Sequence, residues 1–249
     1  MRFKIFTDRW RGVALSIVGS VATIYLGVTK QLQLYIHPRY IIFTAIMAVV
    51  GLGIAIASFG LHMRPDRAKP TKGQNIFAAG MVGLCVLSAV GLLVIRPATL
   101  TTATVAQRSI NNGGIGLNGQ PTNAVPLFEG GDYTHFTVKD WVTLFAQTSD
   151  AQFFANKQAD IVGFVTPDAD DPQNVFYVSR FVITCCAVDA RPIGVPVYAP
   201  GWQARHEADQ WVRVAGGFAA NPSPKSQQRI AVRPASITTV AQPKEPYVY

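Results

Sequence analysis

Two adjacent cysteines and a nearby aspartate are the residues most able to do chemistry in this chain. Cys185 and Cys186 lie in a run from 181 to 197, and Asp189 follows three residues after the second cysteine. The remaining cysteine, Cys85, lies in an apolar segment. Thiolate sulfur is a preferred ligand of zinc and Cu(I), so the pair predicts a metal site formed by Cys185, Cys186 and Asp189.

The cofactor of such a site would be a zinc or copper ion, with Asp189 as a third ligand or as a partner behind the sulfurs. His135 and His206 are outside candidates, provided that the fold brings either of them to the cysteines. A structural alternative is that one cysteine packs inside the domain while the other is half exposed and inert. Thiol redox chemistry also stays open, because a free thiol pair outside the cytoplasm tends to oxidise.

Strand geometry sets a condition on any site that uses both sulfurs. Successive side chains of a regular strand point to opposite faces, so the two cysteines can share a ligand only if the strand ends or bulges there. The following residues 187–192 include Asp189, Arg191 and Pro192, which favour a turn. A break near the cysteines, at the end of the β-type run 174–184, is therefore plausible.

The composition indicates a membrane protein. Of the 249 residues, 49% are hydrophobic and only 14% are charged, against about 25% charged in ordinary soluble domains. Three uncharged runs, 12–28, 40–59 and 76–95, come close to the roughly 20 residues that a helix needs to cross a bilayer. We predict a transmembrane region over residues 1–96 with these three spans. They contain no Asp, Glu, Lys, Arg or His, which favours an anchor over an ion pathway.

The basic residues predict the orientation of these spans. Cytoplasmic loops of membrane proteins carry an excess of Lys and Arg. The net charge is +8, and two clusters precede the first span and separate the second from the third: Arg2, Lys4, Arg9, Arg11, Arg64, Arg67, Lys69 and Lys72. The N-terminus and that loop are therefore predicted to be cytoplasmic. The chain would be a multi-pass protein of the cell membrane with its C-terminal domain outside the cytoplasm.

The chain after the third span is predicted to form a linker and a β domain. Residues 97–126 include an Asn/Gly-rich stretch and read as a flexible linker. Residues 127–249 are predicted to form a small OB-like β-barrel preceded by a short helix, with an open β-sandwich as the alternative. About five strands are expected, at 161–165, 174–184, 195–198, 211–215 and 237–240. The fold class is thus an α+β membrane protein.

Three local signals in the β domain predict specific features. Thr137 and Asp140 form a weak capping box that begins a helix over 137–145. Gly163, inside the first strand, indicates a bulge or a sharp bend. The turn 167–173 lacks the glycine and the distal glutamate of an EF-hand, so its three carboxylates are expected in a solvated hairpin turn: Asp168, Asp170 and Asp171.

No catalytic motif is present, so an enzyme is not predicted. The chain lacks a nucleophile elbow, a Walker loop, a C-x-x-C and an H-E-x-x-H sequence. Oligonucleotide binding by an OB barrel needs stacking aromatics beside a basic groove. Tyr177, Arg180 and Arg213 could contribute to one, but a domain outside the cytoplasm rarely meets nucleic acid. The predicted partners therefore include the lipid bilayer and exclude nucleic acid.

Several motifs of the C-terminal half match a known family. They are Gly-Phe-Val at 163–165, the run 181–190 with its Cys-Cys-x-x-Asp-Ala core, 194–197, 211–214 followed by Gly216, and Glu-Pro-Tyr-Val-Tyr at 245–249. With these motifs the chain resembles the YcgQ-like family over most of residues 136–249. Val188 departs from the alanine that is common there, without consequence for side-chain chemistry.

The resemblance implies a role in transport. Members of the YcgQ-like family are named as subunits of a two-component membrane permease complex. For this chain the resemblance implies a multi-spanning anchor, an OB-like extracytoplasmic domain and a separate permease subunit as partner. It supplies no substrate.

Three functional hypotheses follow. The first is an integral membrane accessory subunit of a permease complex, whose extracytoplasmic β domain binds a ligand or gates the partner. The second is a membrane-anchored metal-binding or thiol-redox protein that uses Cys185 and Cys186. The third is a structural module of the cell envelope in which the cysteines are small buried residues.

Overall fold

The structure, a computed structural model, describes residues 11–61, 80, 83–84, 87–88, 91, 100–111, 133 and 135–249. The chain divides into two units, Met1–Ala98 and Thr99–Tyr249. The described part of the first unit is helical, whereas the second is built on a β-sheet.

Two apolar helices form most of the described part of the first unit. Helix α1 spans Arg11–Val28 and helix α2 spans Pro38–Leu61, with a 3-10 turn at Gln31–Leu34 between them. Pro38 begins α2, where its missing N–H removes no helical hydrogen bond. The helices contact each other so closely that a Cβ at Gly51 would lie 3.4 Å from the Ser20 hydroxyl.

The predicted spans are supported only in part. Among the described residues, one helix is long and apolar enough to cross a membrane, over Pro38–Ser58, while Leu15–Val28 is a shorter apolar helix. Large apolar side chains of α2 face outward, and Ile42 is 74% exposed. An exposed apolar surface of this kind is typical of membrane contact. The predicted third span, 76–95, lies mostly outside the described residues.

The described part of the second unit contains three short α-helices and six strands. The helices are α3 (Thr102–Ala106), α4 (Val138–Gln147) and α5 (Ala151–Phe154). The strands are β1 (Gln158–Pro167), β2 (Val175–Val182), β3 (Arg191–Tyr198), β4 (Trp211–Ala220), β5 (Ile230–Thr239) and β6 (Tyr247–Val248). The fifth strand thus begins earlier than the predicted 237, and β6 has no counterpart in the prediction.

The six strands form one sheet in the order β1-β4-β5-β3-β2-β6, with an additional pairing between β1 and β2. Neighbours are antiparallel except at two places. Strand β3 meets β5 in parallel at a single pair, Val197 and Val232, and β6 runs parallel to β2 at the edge. The α+β class is therefore supported. The order describes a six-stranded sheet and does not establish the predicted OB-like barrel.

Helix α4 packs on one side of this sheet, and its start follows the predicted capping box. The Thr137 hydroxyl accepts from the Asp140 N–H, and the Asp140 carboxylate accepts from the Thr137 N–H at 2.8 Å. These bonds satisfy two of the free N–H groups at a helix start. The buried face of α4 contributes Val138, Trp141, Val142 and Leu144 to the core. The predicted helix at 137–145 is confirmed.

Gly163 lies where two strands approach each other too closely for a side chain. Strand β1 pairs with β4 through Phe164 and with β2 from Phe164 onward, so it changes partner just after Gly163. A Cβ at Gly163 would lie 2.5 Å from the Ser179 carbonyl oxygen. The register shift lies elsewhere, between Ala215 and Gly216 on β4. Gly163 therefore permits a close approach of β1 and β2, and the register shift on β4 is not the bulge that was predicted at Gly163.

The acidic turn between β1 and β2 differs from its prediction. Asp168 and Asp171 are each only 3% exposed. The Ser226 hydroxyl donates to Asp168 at 3.1 Å, and the Ser223 hydroxyl donates to Asp171 at 2.6 Å. The expectation of a solvated turn is wrong for these two carboxylates, although Asp170 is exposed. They connect the β1–β2 turn to the β4–β5 loop, a pairing that local sequence cannot reveal.

Replacing Ser223 by alanine is expected to change the acid stability of this connection. Hydrogen bonds from Ser223 and then Asn174 lower the pKa of Asp171. A lowered folded-state pKa gives stability above the unfolded pKa of about 4, which is lost as pH falls through the folded value. Ser223→Ala should therefore lower the thermal midpoint at pH 7, and the gap to the unchanged protein should narrow at pH 3. Ser236→Ala, at an exposed position on β5, is the control. An equal gap at both pH values would contradict the assignment.

Candidate functional site

The cysteines lie in a loop because strand β2 ends before it reaches them. Strand β2 ends at Val182, and a 3-10 turn at Ala187–Asp189 precedes β3. Cys185 is exposed and Cys186 is partly exposed, with their sulfur atoms 3.5 Å apart. The strand break that a shared ligand requires is therefore present, and both sulfurs lie on the same side of the loop.

The Asp189 carboxylate holds the loop that carries the cysteines. Its Oδ1 accepts from the Thr184 N–H at 3.2 Å, and its Oδ2 accepts from the Cys185 N–H at 2.7 Å. The Asp189 N–H in turn donates to the Cys186 carbonyl at 3.0 Å. Asp189 thus lies beside the cysteines as the sequence predicted, with both carboxylate oxygens already bonded to the main chain.

The same contacts set the protonation of the site. The hydrogen bond to Asp189 is the largest of the effects that raise the pKa of Cys185 to about 12. Burial raises the pKa of Asp189, but hydrogen bonds from the Cys185 side chain and from the main chain outweigh it, so the net pKa is lowered. At neutral pH the pair is a carboxylate beside a thiol. Reactive cysteines need a lowered pKa, so this environment does not favour a nucleophilic Cys185.

The two candidate histidines do not complete a metal cage. His206 contacts Gln210, with 3.3 Å between Nδ1 and the amide oxygen, in the segment before β4. His135 lies two residues before the capping residue of α4. In the part of the chain that the structure describes, no group of three or more His, Cys, Asp or Glu is arranged to hold a metal ion. What the loop offers is two neighbouring sulfurs.

A segment predicted as linker braces the cysteine loop. We call residues 100–111 the strap. The Arg108 guanidinium donates to the Val188 carbonyl at 2.9 Å and to the Ala190 carbonyl. The Asn111 side chain donates to the Gly194 carbonyl and accepts from its N–H, each at 3.0 Å. These residues of the predicted linker are therefore part of the folded unit, whereas 112–126 lie outside the described residues.

The N-terminal end of the strap is tied to two other segments of the domain. The Thr102 hydroxyl donates to Asp209 at 2.9 Å, and the Leu100 N–H donates to the Tyr247 hydroxyl at 3.3 Å. Sequence reasoning missed the strap because its contacts are all far along the chain. The local signal available was Thr101, the capping position before α3.

The residues weighed for nucleic-acid binding have other contacts. Arg213 pairs with Asp160 in a two-pronged contact, with 2.6 Å between Nε and Oδ1. Tyr177 is buried, and burial together with Asp168 raises its pKa. The Arg180 guanidinium lies 4.8 Å from the Trp211 ring centre and donates to the Val162 carbonyl. Burial lowers the pKa of Arg180 to about 10.

Comparison with known proteins finds similarity over the β domain. Residues 127–249 match the family model of the DUF1980 C-terminal domain. The C-terminal part of the chain is therefore similar to this family. A relative from Streptococcus mutans serotype c (strain ATCC 700610 / UA159), named "Putative two-component membrane permease complex subunit", is 33% identical over 97 residues. That alignment covers 39% of this chain and 35% of the relative. No solved structure matches the chain.

The range that matches the DUF1980 C-terminal domain includes the whole cysteine loop but not the strap. The matched range begins at residue 127, so residues 100–111 precede it. The folded unit, which begins at Thr99, is therefore larger than the matched domain. The aligned part of the chain spans about a third of the length of the relative, so the name belongs to a protein most of which lies outside this alignment.

Proposed function

We propose that this chain is an integral membrane accessory subunit of a two-component permease complex. The observation that carries the proposal is α2, an apolar helix long enough to cross a bilayer with its large side chains facing outward. The Streptococcus relative is named as a subunit of such a complex. A separate permease subunit would then be the partner, and α2 would lie against lipid or against that subunit.

The finer membrane topology belongs to the same proposal. Three spans, at 12–28, 40–59 and 76–95, would anchor the chain as a multi-pass protein. The basic residues before the first span and between the second and third favour a cytoplasmic location for those segments. The β domain would then lie outside the cytoplasm, where it binds a ligand or gates the partner.

We also infer that the β domain closes in the OB manner. Taken as a ring, the pairings run β1 to β2, β2 to β3, β3 to β5, β5 to β4 and β4 back to β1. Closure depends on the single parallel pair Val197–Val232, since the other contacts are longer antiparallel ladders. This arrangement supports a barrel that removes the free edges of an open sheet.

The membrane proposal is tested by extraction, topology and cross-linking of the full chain. We expect the chain to stay in membranes after an alkaline carbonate wash. A reporter fused after Tyr249 should be active only in its extracytoplasmic form. Photo-reactive residues placed at Ile42 and Ile54, which are exposed on α2, should cross-link a multi-spanning membrane protein. The same residue at Ser236, exposed on the sheet, is the control.

Each measurement can contradict a different part of the proposal. Release by carbonate would show that the chain is not integral to the membrane. Reporter activity in the cytoplasm would reverse the orientation. Cross-links to lipid alone, from both positions on α2, would leave a membrane anchor without a permease partner.

A further inference from the structure

The two sulfur atoms of the cysteine loop have a separation that suits one tetrahedral metal ion. They lie 3.5 Å apart. Two thiolates bound to one zinc ion at about 2.3 Å and at the tetrahedral angle lie roughly 3.8 Å apart. Two sulfurs on opposite sides of an ion at the same bond length would lie about 4.6 Å apart. The pair therefore needs only a small shift to chelate a tetrahedral ion and a large one to bind an ion linearly.

The main chain around the sulfurs is held in place by three sets of hydrogen bonds. The Asp189 carboxylate accepts hydrogen bonds from the N–H groups of Thr184 and Cys185. Arg108 of the strap binds carbonyls on the other side of the turn. The Ile183 N–H donates to the Val248 carbonyl of β6 at 3.2 Å. A ligand pair on a braced loop loses less conformational entropy on binding than one on a free loop.

The loop is also open to solvent. Cys185 is exposed, and Val188 at the tip of the turn is 81% exposed. The Asp189 oxygens are bonded to the main chain, and the described residues contain no third or fourth ligand arranged around the sulfurs. An ion held by both sulfurs would thus keep two coordination positions open. Structural zinc sites are closed by four protein ligands, whereas an open site can exchange its ion or accept another ligand.

We propose that Cys185 and Cys186 together bind one Zn²⁺ ion through both sulfurs, with the two other positions taken by water or by a ligand from another molecule. Each thiol gives up its proton on binding, so two thiolates surround one dication, two protons pass to solvent, and the hydrogen bond from the Cys185 thiol to Asp189 is lost. Asp189 is a positioning residue in this site because it holds the N–H groups of the loop. The proposal does not depend on a permease partner.

Zinc titration of the reduced full-length chain in detergent tests the proposal, with a competing chromophoric chelator to report free zinc. The unchanged protein is expected to bind one Zn²⁺ per chain. Cys85→Ser removes the other cysteine of the sequence and should bind as the unchanged protein does. Cys185→Ser and Cys186→Ser should each weaken binding by more than the roughly 10- to 100-fold that loss of an outer partner costs, and the double variant should not bind. Equal binding by the double variant, or loss in Cys85→Ser, would overturn the proposal.

Co²⁺ serves as a coloured substitute that separates ligands from positioning residues. The sulfur-to-cobalt absorption band is expected in the unchanged protein and should be lost in the double variant. Asp189→Asn keeps one acceptor oxygen, so it should weaken binding by roughly tenfold while the band keeps its intensity per bound ion. A band that changes its intensity per bound ion in Asp189→Asn would make the carboxylate a ligand instead.

A measurement on the unchanged protein covers the case in which the double variant does not fold. Zn²⁺ alone should protect both Cys185 and Cys186 from alkylation, as read by mass spectrometry of the peptide. Unprotected thiols at saturating Zn²⁺ would overturn the site. Binding of Cu(I) without any binding of Zn²⁺ would overturn the tetrahedral geometry that the sulfur separation predicts.

Discussion

Replacing Trp141 by alanine is expected to destabilise the β domain by about 3–5 kcal/mol, the usual loss for removing a large aromatic side chain from a core. Trp141 is fully buried, and its ring centre lies 4.5 Å from that of Phe218 and 5.0 Å from that of Phe136. The cavity left by alanine lies between α4 and the sheet, where several other aromatic rings meet and little can move in to fill it. Chemical denaturation of the purified chain, followed by circular dichroism, measures the loss.

Trp141→Phe is the matched control for this prediction. The indole N–H of Trp141 has no hydrogen-bond partner among the described residues, so phenylalanine gives up ring volume without breaking a described bond. We expect it to cost well under half of the alanine loss. A Trp141→Ala protein within about 1 kcal/mol of the unchanged one would mean that the packing of α4 on the sheet is not what stabilises the domain.

Alanine at Gly216 is expected to destabilise the domain by about 3 kcal/mol, at the upper end of the range for overpacking. A Cβ at Gly216 would lie 2.2 Å from the Arg233 carbonyl oxygen and 2.8 Å from the Pro234 Cα. Both are main-chain atoms, so neither can turn aside as a side chain would. Relief requires that β4 and β5 move apart at the register shift between Ala215 and Gly216.

The neighbouring residue supplies a control in the same strand. A Cβ at Gly217 would first meet the end of the Gln158 side chain, at 3.2 Å. That side chain can rotate, so Gly217→Ala should cost far less than Gly216→Ala in the same denaturation experiment. Similar losses for the two variants would show that the loss reflects glycine removal from β4 in general and not the close approach at Gly216.

These two predictions bear on the cysteine loop through the sheet that carries it. Strands β2 and β3 enter and leave the loop, and α4 packs on both. A domain weakened by Trp141→Ala would present its cysteines on a less rigid loop. Zinc affinity measured on such a variant below its unfolding midpoint would therefore report on how far the braced loop contributes to binding.

The sequence alone was sufficient to predict those features whose decisive interactions are between residues close together in the chain. Thr137 and Asp140 are three residues apart, so a capping box can be recognised without knowing the fold. The apolar run 40–59 can likewise be recognised from consecutive residues alone, and in the structure it lies within helix α2. The turn residues after Cys186 indicated a strand break, and β2 ends at Val182. The family motifs also lie within short runs, and the match over residues 127–249 agrees with them.

The tertiary structure decided every feature that depends on residues far apart in the chain. Arg108 lies about 80 residues from the carbonyls that it binds, and an Asn/Gly-rich neighbourhood gave that segment the appearance of a linker. Asp171 is buried because Ser223, 52 residues away, donates to it. Local periodicity carries no information about such partners, since strand pairing and burial are set by the whole sheet. The distance of 3.5 Å between the two sulfurs also depends on the tertiary structure. Neighbouring cysteines can adopt such a distance, but it is the conformation of the braced loop that brings the sulfurs together.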